Sequence, residues 1–500
     1  MVGVRAGAID RYLGIPYAAP PIGALRWSPP APPSHWSAPR LADRFADWCL
    51  QVAPAGFSRP IVNEDCLYLN VFAPHGAAGR TGKRPVIVWL HGGGLRQGRA
   101  NDYDPTPLVE KGVIFVSLNY RLNILGFLAH PALDRENHDF ANYGLMDQRF
   151  ALEWVRRNIA AFGGDPANVT LAGESSGGAN VFDHIASQPS AGLFHKAIVE
   201  SGSLWFGAFA PFYDGLPLAS AEAVGRKVAA MAGCADAACL RALPAERVAE
   251  IVRALPSYAF GVTVDGTVLD QPVTRKVLTG DFARVPILNG SNRDEWTWVE
   301  GLSEQAAGHP LAEADLETHL AGSLGSFAAG AVPHYPVASF GGSAGAASAR
   351  AVTDGLFLCP MLGLNTALSR HVNVWGFEFA DTGAPYPFRD ASFAYGAAHT
   401  LEMQYLFRNY AGATGQPKPL SPDQKRLAAA MVAYWTNFAR GSDPNGPHLP
   451  VWPSLKKKPE TYLSLVAPHP RRVGATALAA DHLCDRVWRP TIGVLPKIEF

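Results

Sequence analysis

A serine between two glycines follows an apolar segment of the chain. Residues 169–178 read Val-Thr-Leu-Ala-Gly-Glu-Ser-Ser-Gly-Gly. A Gly-x-Ser-x-Gly pattern directly after a strand is typical of a nucleophile elbow, in which the serine lies on a tight turn between a strand and a helix. Side chains at Gly173 and Gly177 would collide with neighbouring backbone in such a turn. The pattern therefore predicts Ser175 as a nucleophile.

The same five-residue pattern occurs a second time, at residues 341–345 around Ser343. No β-branched strand precedes it, and it lies in a run rich in Ala, Gly and Ser from 326 to 349. Such a composition favours a surface loop. We therefore predict an exposed loop over 326–349 and no nucleophile at Ser343.

A serine hydroxyl becomes a nucleophile when a base removes its proton, and an acid must orient that base. In folds with this elbow, the acid and then the histidine follow the serine along the chain. His399 fits the base, because small residues precede it and a helix-like segment follows it. Asp294 and Glu295 both fit the acid, since they follow the short apolar strand that begins at residue 286. The residue types alone do not choose between these two carboxylates.

Acyl transfer also requires backbone N–H donors for the anionic tetrahedral intermediate. The strand-like segment 86–90 runs into the sequence His-Gly-Gly-Gly at residues 91–94. Glycines after a strand let N–H groups approach an oxyanion, and the N–H of Ser176 would add another donor. We interpret His91 itself as structural.

Strand-like and helix-like segments alternate between residues 85 and 205. The strand-like segments are 86–90, 113–118, 169–172 and 197–199, and helical periodicity extends over 145–159. This alternation predicts an α/β fold with a largely parallel sheet, at whose carboxyl edge the reactive groups should gather. Two further segments, 210–285 and 300–350, are helix-like or loop-like, and we expect them as insertions on the sheet.

The composition excludes several classes of function. The chain has 500 residues, of which 48% are hydrophobic, and Lys+Arg and Asp+Glu number 43 each. This balance argues against a nucleic-acid partner, and no apolar run approaches the roughly 18 residues of a membrane span. No Cys/His cluster has metal-ligand spacing and no phosphate-binding loop follows a strand, so we expect neither metal nor cofactor. The expected partner is a small molecule, and no pattern predicts an oligomeric state.

Motifs along nearly the whole chain resemble the type-B carboxylesterases, the family of cholinesterases and carboxylesterases. Besides the serine pattern and the segments around Glu295 and His399, they are Tyr12–Arg26, Glu64–Asn70, Tyr120-Arg121, Asn142–Gln148, Phe162–Pro166 and Trp435–Pro453. The resemblance implies one α/β-hydrolase domain over residues 1–500, with a central, mostly parallel sheet flanked by helices. It also implies a serine carboxylesterase with an acyl-enzyme intermediate. The implied triad is Ser175, His399 and Glu295, and the implied oxyanion donors are Gly93, Gly94 and Ser176.

The resemblance further implies contacts that hold the fold together. Arg26 with Glu64 and Arg121 with Asp165 match buried salt bridges of the family. The six cysteines match its three disulfides, which pair Cys49 with Cys66, Cys234 with Cys239, and Cys359 with Cys484. Disulfides persist in oxidising compartments, so we expect a secreted or periplasmic protein in preference to a cytoplasmic one with six reduced cysteines. The sequence as given begins without an apolar signal segment and lacks most of the family's first strands, which suggests a shortened amino terminus.

Two residues depart from the family at positions that shape the pocket. Trp296 and Thr400 stand where the family usually has glycine, after the acid and after the histidine. A cholinesterase is not expected, because its cation site needs an aromatic residue, typically Trp, in the loop that the first disulfide closes. Residues 50–65 contain Phe57 but neither Trp nor Tyr.

Two arginines, Arg96 and Arg99, follow the oxyanion glycines where the family usually has aromatic or small residues. Two interpretations remain open: both arginines are solvated charges of a loop, or Arg96 holds a substrate carboxylate in a bidentate, charge-assisted contact. The second interpretation predicts a preference for esters that carry a carboxylate near the scissile bond. Trp205 and Trp296 are further candidates for substrate contact.

Three classes of function remain. A carboxylic ester hydrolase is the principal hypothesis. An amidase, carbamate hydrolase or lactonase would use the same triad. A non-enzymatic interaction protein on this fold would be expected to lack the serine or the histidine, and both are present.

Overall fold

The protein is described by a computed structural model over residues 1–52, 63–79, 83–202, 213–256, 259–411 and 418–489. Its backbone divides into two compact units. The first unit comprises Met1–Lys196 and Pro211–Ala283, and the second comprises Ala197–Ala210 and Arg284–Phe500. Trp205 and Phe57 lie outside the described residues.

The strands are numbered in chain order. They are β1 (Val4–Ala6), β2 (Ile9–Pro16), β3 (Tyr68–Pro74), β4 (Arg84–Leu90), β5 (Ile114–Leu118), β6 (Gly164–Glu174), β7 (Lys196–Glu200), β8 (Leu216–Pro217), β9 (Thr263–Val264), β10 (Ile287–Asn292), β11 (Val374–Phe379), β12 (Thr461–Leu465) and β13 (Arg471–Gly474).

The α-helices of the first unit are α1 (Thr106–Val109), α2 (Asn123–Gly126), α3 (Pro131–Asp134), α4 (Tyr143–Asn158), α5 (Ser176–Ala186), α6 (Leu218–Ala232), α7 (Ala237–Arg241), α8 (Ala245–Ala254) and α9 (Val273–Thr279). Those of the second unit are α10 (Thr297–Ala307), α11 (Leu316–Leu324), α12 (Ala328–Ala331), α13 (Ala344–Thr353), α14 (Cys359–Ser369), α15 (Met403–Leu406), α16 (Pro422–Gly441) and α17 (Ala475–Asp481).

In the first unit six strands lie in the order β1-β2-β3-β5-β4-β6, and β8 pairs with β9 in a separate two-stranded sheet. Strands β4, β5 and β6 run parallel, whereas β1, β2 and β3 form antiparallel pairs at the edge. The apolar run in β5 is buried along its whole length. Such continuous burial is typical of a parallel strand covered on both faces, and it explains why β5 does not alternate polar and apolar residues.

In the second unit the order is β7-β10-β11-β12-β13. The first four strands are parallel, and β13 pairs antiparallel with β12. Both β10 and β11 are buried throughout. The prediction of an α/β fold with a mostly parallel sheet and covering helices is confirmed.

The prediction of an exposed loop over 326–349 is wrong. This segment contains short helical turns, α12 and most of α13, and Ala344, Ala347 and Ala349 are buried. Small residues let helices pack closely: a Cβ atom on Gly345 would lie 2.8 Å from the ring of Phe393. Ser343 caps α13, because its hydroxyl accepts a hydrogen bond of 3.1 Å from the Ala346 N–H.

The two predicted insertions are mostly helical where the structure describes them. Helices α6 to α9 fall within 210–285, and α10 to α13 largely within 300–350. The single-domain organisation stays a prediction. Among the described residues, one helical stretch, Ala344–Ser369, is long and apolar enough to cross a membrane by length and composition alone, with a mean hydropathy of 1.3. Because 94% of its apolar window is buried inside the protein, it has the character of a core helix and is weak evidence for a membrane span.

All three predicted disulfides are present: Cys49–Cys66, Cys234–Cys239 and Cys359–Cys484. The third joins residues 125 positions apart, and the first closes the loop that contains residues 53–62. Pairing of cysteines this distant in sequence restricts the unfolded chain and so favours the folded state.

One of the two predicted buried salt bridges is confirmed and the other is wrong. Arg26 Nε lies 2.8 Å from Glu64 Oε2, and both side chains are buried. Arg121 pairs instead with Asp147 on α4, through two contacts of 2.8 Å. Asp147 is fully buried, whereas Asp165 is partly exposed at the start of β6 and accepts a local hydrogen bond from the Ala167 N–H.

We expect Asp147→Asn to lower the free energy of unfolding by about 3 kcal/mol, because it leaves the buried Arg121 charge without a counter-ion. Asp165→Asn is the matched control and should change it by less than about 0.5 kcal/mol, as is usual at a partly exposed site. Urea unfolding followed by circular dichroism measures both. Equal effects of the two substitutions would contradict the assignment of Asp147 as the partner.

Candidate active site

Ser175 lies at the junction of strand β6 and helix α5. The strand ends at Glu174 and the helix begins at Ser176. Ser175 has φ of 56° and ψ of −127°, a conformation that non-glycine residues rarely adopt. Such local strain is commonly held at functional sites by the surrounding structure.

The neighbouring glycines leave room for this turn. A Cβ atom on Gly173 would lie 2.5 Å from the carbonyl oxygen of Gly177, and one on Gly177 would lie 2.2 Å from that of Leu90. Both distances are shorter than real contacts of a Cβ atom. The backbone crowding thus accounts for both glycines of the pattern.

The glycine segment after β4 lies beside Ser175. A Cβ atom on Gly92 would come within 2.9 Å of the Ser175 Cβ atom. Gly93 and Gly94 follow with φ of 113° and 66°, and the Leu95 N–H donates a hydrogen bond of 3.3 Å to the Ser176 hydroxyl. The first unit therefore brings the three candidate oxyanion residues into the surroundings of Ser175.

His91 is enclosed by the protein. Its ring stacks on Tyr120 at 4.4 Å, and Nδ1 lies 2.9 Å from the Gly92 carbonyl oxygen. Burial lowers the pKa of His91 to about 4, so the imidazole is neutral at pH 7. This environment supports a structural role for His91.

In the second unit, His399 contacts one of the two candidate acids. Glu295 follows strand β10, and its Oε2 lies 2.5 Å from His399 Nδ1. Its other oxygen accepts a hydrogen bond of 2.7 Å from the Asn292 N–H, and the side chain is fully buried. The contact fixes a proton on Nδ1 and leaves Nε2 as the basic nitrogen.

Asp294 points to different partners. Its carboxylate accepts a hydrogen bond of 2.8 Å from the Ala397 N–H, and burial raises its pKa. Asp294 thus holds the segment that precedes His399, and Glu295 holds the imidazole itself. Of the two carboxylates that the residue types left open, Glu295 is the one in contact with the imidazole.

Two aromatic rings enclose the imidazole, and the sequence did not reveal them. Trp298 lies nearly parallel to the His399 ring, with 6.1 Å between centroids and 8° between planes. Phe357 meets the same ring at 5.7 Å and 60°. A signal for Trp298 exists in its position three residues after Glu295, on the first turn of α10. The sequence contains no such signal for Phe357, which lies in a π-helical segment, Asp354–Leu358, far from Glu295 and His399 along the chain.

The two departures from the family have different structural meanings. Trp296 has φ of −89°, which needs no glycine; its N–H donates to the Thr353 hydroxyl and its ring lies 6.1 Å from that of Phe357. Thr400 has φ of 69°, a conformation that favours glycine. A β-branched residue therefore occupies a left-handed position directly after His399.

Arg96 and Arg99 have partners within the first unit. Arg96 Nη1 donates a hydrogen bond of 3.2 Å to the Pro256 carbonyl, and its guanidinium lies over the Phe260 ring at 5.7 Å. Arg99 Nε donates to Asp102 at 2.6 Å, and its guanidinium lies 3.5 Å from the Trp48 ring centroid.

A group of Glu378, Asp481 and His482 has ligand atoms close enough for a metal ion. Its atoms are engaged in an ion-pair network: Arg293 lies 2.6 Å from Asp481, and His482 bridges Glu378 at 3.0 Å and Asp354 at 2.5 Å. A cation there would have to displace the Arg293 guanidinium.

The sequence and the fold of this chain are similar to those of known proteins. Residues 2–479 match the model of the carboxylesterase family. The chain is 33% identical to the cocaine esterase of Oryctolagus cuniculus, with 93% of this chain and 88% of that protein covered. It is 33% identical to the fumonisin B1 esterase of Sphingopyxis macrogoltabida, with 91% and 83% covered.

A solved PNB esterase structure superposes with a TM-score of 0.79 at 28% identity, covering 96% of this chain and 97% of that one. A thermophilic PNB esterase superposes with a TM-score of 0.80 at 27% identity, with the same coverage. The chain therefore belongs to the carboxylesterase family, has the α/β-hydrolase fold and is a carboxylic ester hydrolase.

Proposed function

We propose that the protein hydrolyses carboxylic esters through a triad of Ser175, His399 and Glu295 and an acyl-enzyme intermediate. The observation that carries the proposal is the contact between His399 Nδ1 and Glu295 Oε2. A buried carboxylate on Nδ1 orients the imidazole and stabilises its protonated form. The strained turn at Ser175 supports the same assignment for the nucleophile.

In the first half of the reaction, His399 Nε2 removes the Ser175 proton while Oγ attacks the carbonyl carbon of the ester. The resulting oxyanion accepts hydrogen bonds from the N–H groups of Gly93, Gly94 and Ser176. Collapse of this intermediate breaks the bond to the alcohol oxygen, which leaves with the proton held on His399. In the second half, water attacks the acyl-enzyme by the same route, and the carboxylic acid and free Ser175 are released.

An amidase, carbamate hydrolase or lactonase remains the second candidate, because each uses the same nucleophile and base. A panel of activated esters, amides, carbamates and lactones separates these activities. A serine-directed organophosphate added to each assay shows whether the same serine is responsible.

The three disulfides suggest an extracellular or secreted compartment. We infer export to the cell exterior or the periplasm. Peptide mapping of protein isolated from its native host without reduction would test the pairing in the compartment where it acts.

We further propose that Arg96 favours esters with a carboxylate close to the scissile bond. The guanidinium is partly exposed, so the hydrogen bond to the Pro256 carbonyl can be exchanged for a stronger, charge-assisted contact with a substrate. Trp296 and Trp205 stay candidates for substrate contact.

Ser175→Ala should lower kcat by about five orders of magnitude, because no other group supplies the nucleophile. Ser343→Ala is the matched control within the same five-residue pattern. It should leave kcat near that of the parent and reduce stability by about 1 kcal/mol, since Ser343 caps α13. Hydrolysis of 4-nitrophenyl butyrate measures kcat, and residual parent-like activity in Ser175→Ala would refute the nucleophile.

Glu295→Gln should lower kcat by roughly 1,000-fold or more, because the neutral amide cannot stabilise the imidazolium that forms on His399. Asp294→Asn should lower it by less than about 10-fold, since an amide oxygen can still accept the Ala397 hydrogen bond. Hydrolysis of 4-nitrophenyl butyrate gives kcat for both variants. The reverse ranking would assign the acid to Asp294.

Arg96→Ala should lower kcat/KM for short anionic half-esters by about 10-fold and leave matched neutral esters unchanged. Mono-4-nitrophenyl succinate and 4-nitrophenyl butyrate form a suitable pair. An equal effect on both esters would make Arg96 a rim charge without a role in selectivity.

A further inference from the structure

A cavity of about 830 Å³ lies in the second unit, between the segment 383–390 and the segment 418–424, which leads into α16. Its volume is within the range of small-molecule sites. Tyr386 and Phe388 supply aromatic walls, and Arg389 and Lys418 supply two cations at its border. None of these four residues belongs to a sequence motif of the predicted site.

The two cations are not neutralised within the part of the chain that the structure describes. Asp390 is the acidic residue of the cavity lining, and it accepts a hydrogen bond of 3.0 Å from the Tyr386 hydroxyl. Among the described residues, no carboxylate forms an ion pair with Arg389 or Lys418. The preceding segment 412–417 contains no charged residue in its sequence. The lining itself thus holds two cations and one carboxylate, with the buried Asp381 behind Gly383, and an anionic ligand would complement the two cations.

A stack of rings connects the cavity wall to the proposed base. Phe388 stacks on Trp298 at 6.0 Å between centroids, and Trp298 stacks on His399 at 6.1 Å. The wall of the cavity is therefore two ring contacts from the imidazole. The ring centroid of Phe388 therefore lies at most about 12 Å from that of His399, a separation that an extended ten-carbon chain matches.

We propose that this cavity binds the distal carboxylate of long-chain dicarboxylic half-esters. This inference rests on the esterase mechanism proposed above. Arg389 provides a planar fork that matches a carboxylate, Lys418 adds a point charge, and the rings of Tyr386 and Phe388 pack against the methylene chain. The cavity is proposed to bind a carboxylate far from the scissile bond, whereas Arg96 is proposed to bind one close to it.

The test compares esters of two acyl-chain lengths, each with and without a carboxylate at the far end of the chain. The substrates are mono-4-nitrophenyl sebacate with 4-nitrophenyl decanoate, and mono-4-nitrophenyl succinate with 4-nitrophenyl butyrate. The variant is Arg389→Ala/Lys418→Ala. Its matched control, Lys457→Ala/Arg472→Ala, removes two exposed cations of the same unit that do not line the cavity, one just before β12 and one on β13.

We expect the Arg389/Lys418 variant to lower kcat/KM for the sebacate half-ester by about 5- to 10-fold, as for contacts of partly exposed charges. The decanoate, butyrate and succinate esters should stay within about 2-fold of the parent. The control variant should change none of the four. Raising the salt concentration should reduce the parent's preference for the sebacate half-ester, because exposed charges are screened.

Equal losses on the sebacate and decanoate esters, or no loss on either, would overturn the proposal. Calorimetric binding of free sebacate to the parent and the two variants needs no turnover. It therefore separates a failure of this site from a failure of the esterase mechanism: weaker binding only in the Arg389/Lys418 variant supports the site, and equal binding in all three proteins refutes it.

Discussion

The structure of the site depends on one steric constraint, the close approach of backbone to backbone where β4 and β6 end. The carbonyl groups of Leu90 and Glu174 leave no space for a Cβ atom on Gly177 and Gly92, respectively. The helix α5 can therefore start immediately after β6, with Ser175 on a strained turn between them. Parallel pairing of β4 with β6, from Val86↔Val169 to Leu90↔Gly173, sets this approach. A single side chain on either glycine would separate the serine from the glycine segment beside it.

The imidazole of His399 is held by contacts of a different kind. Glu295 fixes its Nδ1, and the Glu295 carbonyl accepts a hydrogen bond of 3.2 Å from the His399 backbone N–H. Trp298 stacks on the imidazole, and Phe357 meets it at 60°. Each of these partners follows the carboxyl end of a strand or lies on a helix packed near it. Close backbone packing therefore positions Ser175 in the first unit. In the second unit, a buried carboxylate and packed aromatic rings position His399.

Local patterns allowed the sequence to predict the parts of the site that depend on backbone geometry. The Gly-x-Ser-x-Gly pattern and the glycine segment after β4 are such cases, because the allowed φ values limit which residues fit. The cysteine pairs and the Arg26–Glu64 bridge needed family resemblance, since spacing alone leaves many pairings open. The same resemblance implied the wrong partner for Arg121, which pairs with the fully buried Asp147 and not with the partly exposed Asp165. Composition also failed over 326–349, since Ala, Gly and Ser serve close helix packing as well as loops.

The two positions that depart from the family, Trp296 and Thr400, differ in what their backbone angles require. At Trp296 the helical φ suits any residue, and the indole packs near Phe357. Thr400 adopts a left-handed φ of 69°, which costs a β-branched residue on the order of 1 kcal/mol or more. The contacts on both sides explain its persistence: the His399 N–H is bound to the Glu295 carbonyl, and the Met403 N–H donates to the Thr400 carbonyl at 3.1 Å. One of these hydrogen bonds holds the His399 backbone beside Glu295, so the bonds that offset the strain at Thr400 also tie the stability of this loop to the geometry of the site.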